Sequence, residues 1–468
     1  MTAAYQLAQS ERAEVVVFEA SAQVGGLSRS FDLWGHQVDL GPHRFFSNDR
    51  RVNALWVKVA GRNYRMVDRL TRIHYQGKFF HYPLKPVSAL LSLGPLEAIR
   101  CLVSYGMSKL RPVPRLAQET FAGWVTHRFG KRLFEIFFKS YSEKLWGILC
   151  TELDSDFASQ RIKKLSFLEV LKNTFAFKGG HSHVSLIDRF AYPNGGTGRI
   201  YERMAEEVAQ RGGAIHLNSK IKSVALTHGK VTGVVLEDGS LVACDSVVST
   251  MPLTQMCATL PGTPEEVIAA TQLLRFRNTI LVYLHIDGRE LFSDNWLYIH
   301  SPGLRMGRVT NFNNWGQPAT ARPPSTVLCL EYWCNPEDAI WQHPDEALIA
   351  LATREIQATG LIGQMRVLEG KILRIPKSYP IYHAGYRAPL KTITDYLRQI
   401  PGLVPIGRYG SFKYNNQDHS ILMGMLAAEN LLQEAGHDLW AVNTDYESYQ
   451  EQALITEVGL VETTLKAA

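Results

Sequence analysis

No two cysteines of this chain stand in a C-x-x-C pattern; the six, at 101, 150, 244, 257, 329 and 334, are scattered. That excludes the usual spacing of a structural zinc site and gives no sign of a disulfide framework, so the cytoplasm is the expected compartment and no metal is expected. No apolar run approaches the roughly 18 residues that read as a membrane span, and no secretory leader is visible. Dense Lys/Arg blocks interleaved with aromatics are missing too, which argues against a nucleic-acid partner. There is no internal repeat and no low-complexity linker. Finally, the chain has no G-x-G-x-x-G turn.

What is there describes a folded protein. The 468 residues are 46% apolar and 20% charged, enough for two or three domains around a sizeable core. Lys and Arg number 50 against 44 Asp and Glu, a net charge of +6 that suits an anionic small-molecule substrate. Residues 2–9 read as a short helix. Glu14 to Phe18 reads as a buried strand closed by Glu19. An acid directly after the second strand is the ribose ligand of a dinucleotide-binding βαβ unit, whose glycine fingerprint lies about 20 residues upstream. Counting back from Glu19 puts that fingerprint at or before Met1. The chain is therefore expected to begin inside the first helix of a Rossmann-type domain, with the first strand missing.

The far end carries a related pattern. Residues 403–406 read as a buried strand, which Gly407 and Gly410 break. From about Asp418, with His419 and Ser420 in its first turn, apolar residues recur at helical spacing: Ile421, Leu422, Met425, Leu426, Ala428, Leu431, Leu432. Gly436 is the expected C-cap. Arg408, Lys413 and Tyr414 fall in the turn. A helix N-terminus with free N–H groups beside such a turn suits an anion. Between the ends, residues 70–86 read as a hairpin around Gln76-Gly77. Residues 87–138 read as mostly helical. Tyr192-Pro193-Asn194-Gly195-Gly196-Thr197-Gly198 opens a helix over 199–211. Residues 214–217 and 221–250 are strand-rich with a hairpin at Asp238-Gly239, and 274–284 reads as an edge-to-core strand.

Several of these stretches resemble one superfamily. Glu19-Ala20-Ser21-Ala22-Gln23-Val24-Gly25-Gly26-Leu27-Ser28-Arg29-Ser30 is similar to the E-x(5)-G-G-x-x-x-[ST] segment of the flavin amine-oxidase superfamily, which includes protoporphyrinogen oxidases, phytoene desaturases and UDP-galactopyranose mutases. Gly41-Pro42-His43-Arg44-Phe45-Phe46-Ser47 resembles the mutases' G-[PA]-H-x-F-H-T stretch beside the flavin, with Phe46 replacing a histidine. Tyr141-Ser142-Glu143-Lys144-Leu145-Trp146-Gly147 resembles their G-Y-T-x-K-Q-W-G element. Arg161-Ile162-Lys163-Lys164-Leu165 matches in part their R-[LI]-P-V-R segment, Leu165 standing where the second arginine falls. Ser246 to Pro252 is similar to V-[IV]-[SA]-T-x-P at the end of the FAD domain, and the strand near Ile221 is where the superfamily contacts adenine. Arg308-Val309-Thr310-Asn311-Phe312-Asn313 resembles R-[IV]-x-E-x-K, with Asn311 and Asn313 replacing a carboxylate and a lysine. The stretch 376–386 is similar to a tyrosine-rich segment, with Tyr379 and Tyr382. Gly407 to His419 resembles G-R-L-x-x-Y-x-Y-x-D-x-x-Q, with Asn416 in place of the aspartate.

The resemblance covers residues 2–436 and implies an α/β flavoprotein. It implies a Rossmann-type FAD-binding domain in three parts, 1–86, 191–252 and 401–436. A helical substrate-side segment, 87–190, an inserted α+β substrate domain, 253–400, and a tail, 437–468, complete it. The implied FAD ligands are Glu19, Gly25, Gly26, Ser28, Arg29, Gly41, Pro42, His43, Ile221, Thr250, Gly407, Arg408, Asp418, His419 and Ser420. Substrate contacts are implied for Tyr141, Trp146, Arg161, Arg308, Tyr379, Tyr382 and Tyr414. Arg308, Arg408, Tyr414 and His43 are implied at the chemistry. A mutase-type reaction implies attack of reduced flavin N5 on the anomeric carbon of a UDP-sugar and reclosure with a different ring size, with Arg161, Arg308 and Arg408 on the diphosphate. An oxidase-type reaction implies hydride transfer from an amine or porphyrinogen to N5 in a largely apolar pocket. A non-catalytic relic without the fingerprint is the third reading.

Overall fold

The computed structural model describes residues 1–82, 84, 86–110, 119–155, 189–316, 324–442 and 453–462. One layer holds short parallel strands. Val16–Phe18 pairs with Ala214–His216, and Val247–Ser249 with Leu403–Pro405. Helices cover them. Thr2–Ser10, Arg50–Ala60, Arg199–Gln210 and Gln417–Gln433 bury Tyr5, Trp56, Met204 and Met423 in a common core. Arg199–Gln210 does so with Ile200, Met204 and Val208, one residue per turn on one face. Arg50–Ala60 starts on the Asp49 side chain, which accepts from the Arg51 and Val52 amides, and stops at Gly61. Gly424 lets two helices meet closely, since a Cβ there would sit 2.8 Å from Thr2 Cβ.

The second layer is a seven-stranded sheet. Its order is Val367–Pro380, Phe276–Ile286, Thr326–Cys334, Arg308–Asn311, Trp296–Ile299, Thr71–Tyr75, Lys78–His81. The strand Phe276–Ile286 is interior rather than at an edge, paired antiparallel on both sides. Its side chains alternate between two cores, as the pleat requires. Ile280, Val282 and Leu284 pack with Leu348, Ala352 and Ile356 of the helix Asp345–Ala358. Leu281 and Tyr283 pack on the opposite face with Tyr192 and Trp315. Burial on both faces explains why this strand reads as one apolar run. Leu348 has no exposed surface, so Leu348→Ala is expected to cost about 2–5 kcal/mol.

Three details differ from the sequence reading. The hairpin Thr71–Tyr75/Lys78–His81 joins the large sheet, through a parallel pairing of Thr71–Tyr75 with Trp296–Ile299. The last long helix ends at Glu434, which itself takes the left-handed conformation (φ 50°), two residues before Gly436. Within the tail, where no strand was expected, Ala453–Thr456 and Gly459–Glu462 form a hairpin, held by a hydrogen bond from Tyr64 Oη to Thr456 O at 2.5 Å. Among the described residues no helix is long and apolar enough to cross a membrane.

Candidate functional site

Glu19 closes its strand as expected. Its Oε1 accepts from the Ser21 amide and hydroxyl at 2.8 and 2.7 Å. Its Oε2 makes no hydrogen bond among the described residues. Gly25 and Gly26 follow at φ 106° and 55° and open a short 3-10 turn through Ser28. A Cβ on Gly26 would meet nothing within 4 Å, so the backbone there is bare for a ligand to approach. Arg29 lies outward, its Nε on Gly26 O at 3.0 Å. Gly407, at φ 78°, lies beside Thr250, whose Cγ2 a Cβ on Gly407 would meet at 3.8 Å, joining two of the sequence-expected positions. Ile221 opens the strand Ile221–Thr227 in a separate three-stranded sheet.

The helix Gln417–Gln433 starts at this turn. Asn416 and His419 cap it reciprocally. Asp418 Oδ1 is buried without a hydrogen-bond donor, His419 Nδ1 standing 3.1 Å away while it accepts from the Asn416 amide. Ser420 follows in the first turn, its amide on Asn416 O. Gln417, which sequence reasoning missed, ties three motifs together. Its Nε2 donates to His43 O at 3.0 Å, and its Oε1 accepts from Tyr201 Oη at 2.9 Å and Thr197 Oγ1 at 3.3 Å.

These residues fit FAD. An acid with an unengaged oxygen, a bare Gly-Gly turn, a carboxylate oxygen without a hydrogen-bond donor and the N-terminus of the helix Gln417–Gln433 are donors and acceptors that suit a dinucleotide. Bound there, FAD supplies the redox-active ring system; the chain supplies its surroundings.

Those surroundings are aromatic and cationic. Pro42 and His43 follow Gly41, where a Cβ would come 3.4 Å from the Glu331 carboxylate. His43 Nε2 donates to Leu40 O at 2.9 Å. Burial, with Arg408 and Arg308 nearby, pushes His43 down to about 3, so its imidazole is neutral. Arg308 was expected as a cation for substrate, yet Glu331 holds it on both sides, Nε to Oε1 at 2.5 Å and Nη2 to Oε2 at 2.6 Å. Only Nη1 is left without a hydrogen bond among the described residues. Arg408 donates twice to Asn415 O, at 2.9 and 2.7 Å, and lies over Tyr379 and Tyr414 at 5.2 and 5.3 Å. Those two rings stack at 5.3 Å.

Trp146 and Tyr382 line up behind, Trp146 5.7 Å from Tyr414 and 6.4 Å from Tyr382. Tyr382 Oη accepts from the Tyr414 amide at 2.7 Å. A π-helical turn, Glu135–Lys139, precedes Ser140–Trp146 and so aims Tyr141 at Trp333, Tyr298 and His300. Tyr141, Tyr379, Tyr414, His43, Arg308 and Arg408 thus share one electrostatic neighbourhood. Arg161, with Leu165, lies outside the described residues. Glu331 was not anticipated; its signal was a lone acid inside the apolar strand Thr326–Cys334.

A parallel-strand layer with an acid-and-glycine turn, set against a large sheet that carries the aromatic cluster, defines an FAD flavoprotein. The chain belongs to the flavin containing amine oxidoreductases, whose family model matches residues 1–432. It is 22% identical over 484 aligned positions to coproporphyrinogen III oxidase of Staphylococcus aureus, covering 93% of this chain and 97% of that one. Its fold is similar to that of reduced UDP-galactopyranose mutase, with TM-score 0.81, 22% identity, and 95% and 93% of the two chains covered. It is also similar in fold to a redesigned putrescine oxidase, with TM-score 0.62, 13% identity, and 93% and 96% covered.

Proposed function

We propose that this FAD enzyme acts on an anionic, oxygen-rich small molecule, a sugar nucleotide or related glycan precursor. The chemistry is of the mutase type, and the substrate is held between Tyr141, Trp146, Tyr379, Tyr382 and Tyr414. The FAD-binding parts are 1–86, 191–252 and 401–436; segments 87–190 and 253–400 carry the substrate. One observation carries the reading. The Arg408 guanidinium stands over stacked Tyr379 and Tyr414, and Arg308, whose charge reaches Tyr379 and Tyr141, keeps its Nη1 off Glu331. That combination suits the phosphate of a sugar nucleotide better than an apolar amine. Glu331 fixes the Arg308 plane, and Asn415 O fixes that of Arg408, so both cations are oriented before substrate arrives. A neutral His43 adds no competing charge.

The second reading is an oxidase that removes hydride from a porphyrinogen or amine. The full-length likeness to the coproporphyrinogen III oxidase favours it. A porphyrinogen's carboxylates would meet the same arginines.

Titration of reduced and oxidised holoenzyme with UDP and UDP-sugars, followed by flavin absorbance, tests the choice. The mutase-type reading expects a perturbation, stronger in the reduced enzyme, that Arg308→Ala and Arg408→Ala each weaken by about 2–4 kcal/mol. Silence toward every uridine nucleotide, with flavin bleached by a porphyrinogen in one anaerobic turnover, selects the oxidase.

A further inference from the structure

Two arginines near the aromatic cluster have no hydrogen-bond acceptor among the described residues. Arg44 follows His43, and its Nη1 is shut away from solvent with no hydrogen-bond partner. Arg69, just before the strand Thr71–Tyr75, has its buried Nε in the same condition. Besides burial, the charge of Arg69 weighs against that of Arg44, and Tyr298, Tyr82 and Asp418 also act on Arg44. Asp418 forms no ion pair with either arginine. The nearby Arg72 behaves in the ordinary way, donating to both oxygens of Asp294 at 2.9 and 2.6 Å. Arg44 instead rests over the Phe46 ring at 5.3 Å.

The pair is continuous with the site. Tyr298 lies 4.7 Å from Tyr82 and 5.5 Å from Tyr141, ring to ring, so it bridges the Arg44 side and the Arg308 side of the cluster. Two like charges desolvated together are unfavourable unless an anion joins them. Guanidiniums are also the side chains best shaped to hold phosphate or carboxylate oxygens.

We propose that Arg44 and Arg69, flanked by the Tyr82 and Tyr298 hydroxyls, form an oxyanion subsite that takes a second acidic group of the substrate, separate from the group met by Arg308 and Arg408. The subsite rests on the anionic-substrate reading above, but not on the identity of the substrate. Phosphate and carboxylate share the required chemistry.

Calorimetry on the FAD-loaded full chain tests it, with inorganic pyrophosphate and succinate as separate probes. At least one probe is expected to bind, and Arg44→Met and Arg69→Met each to weaken it about tenfold or more, with flavin content and spectrum unchanged. Arg44→Lys should recover part of the loss. Pyrophosphate alone binding identifies a phosphate subsite; succinate alone, a carboxylate subsite. The proposal is overturned if neither probe binds, if both Met variants bind like wild type, or if the folded variants lose flavin, which would give the pair to the cofactor. Should Arg44→Met not fold, Arg69→Gln decides by the same criteria. Probe binding through Arg44 and Arg69 with no uridine nucleotide effect keeps the subsite and discards the sugar-nucleotide reading.

Discussion

Glu331 and Arg308 form a two-pronged ion pair in which the carboxylate is only 2% exposed. The strands that carry them pair residue to residue, Arg308 opposite Glu331. Removing one partner leaves a buried charge uncompensated. Glu331→Gln is expected to lower stability by about 3–5 kcal/mol, read from urea unfolding. Replacing both residues with methionine should recover most of that loss while abolishing anion binding. Equal stability of Glu331→Gln and wild type would show that the pair is solvated in solution.

Asp39 is a second buried acid. It has no exposed surface and accepts from Ser30 Oγ, Tyr192 Oη and the Thr197 amide. Burial outweighs these donors and pushes it up to about 7. A carboxyl raised in the folded state contributes stability that is present at pH 4 and lost as pH climbs through 7. The stability difference between wild type and Asp39→Asn should therefore shrink over that window, by on the order of 4 kcal/mol. Denaturation curves at several pH values give the comparison; a flat difference refutes it.

His43 and His300 run the other way. Burial holds each down to about 3, helped by Arg408 at His43 and Lys144 at His300. Each stays neutral while its unfolded counterpart protonates, so stability falls as pH drops below about 6.5. Their imidazole resonances should not shift between pH 5 and 8. A midpoint near 6.5 for His43 would show that it can act as a proton donor.

Gly147 sits at φ 64°, and a Cβ there would come 2.2 Å from Arg277 Nη1. Arg277 donates to Leu145 O at 3.1 Å, Lys144 O at 3.0 Å and Trp333 O at 2.8 Å, stitching the Trp146 helix to the sheet. Gly147→Ala is expected to cost about 2–4 kcal/mol through strain and lost bonds. It should also shift Trp146 fluorescence, since the helix end loses its anchor. Unchanged melting and emission would mean the guanidinium moves aside freely.

Local patterns announced much of this architecture. The acid after a short apolar strand, the left-handed glycines and the helical spacing after Asp418 each depend on neighbours within a few residues. Partners far apart in sequence were not legible. Nothing near Arg308 marks Glu331, 23 positions on, and nothing near Gln417 marks its bond to the His43 carbonyl. The interior position of Phe276–Ile286 was missed because a continuous apolar run does not reveal how many strands flank it. Glu434 displaced Gly436 as the helix end because the Glu434 amide still reaches Asn430 O.

The parallel pairing of Thr71–Tyr75 with Trp296–Ile299 has a consequence for biosynthesis. The hairpin leaves the ribosome more than two hundred residues before its partner strand does, as the register Thr71↔Trp296 dictates. At roughly 5–20 residues per second, it waits on the order of ten seconds or more with one edge unpaired. An exposed strand edge invites pairing with other chains. Nascent chains of this protein are therefore expected to depend on chaperone cover until strand Val367–Pro380 has emerged, and fragments ending before residue 296 should aggregate.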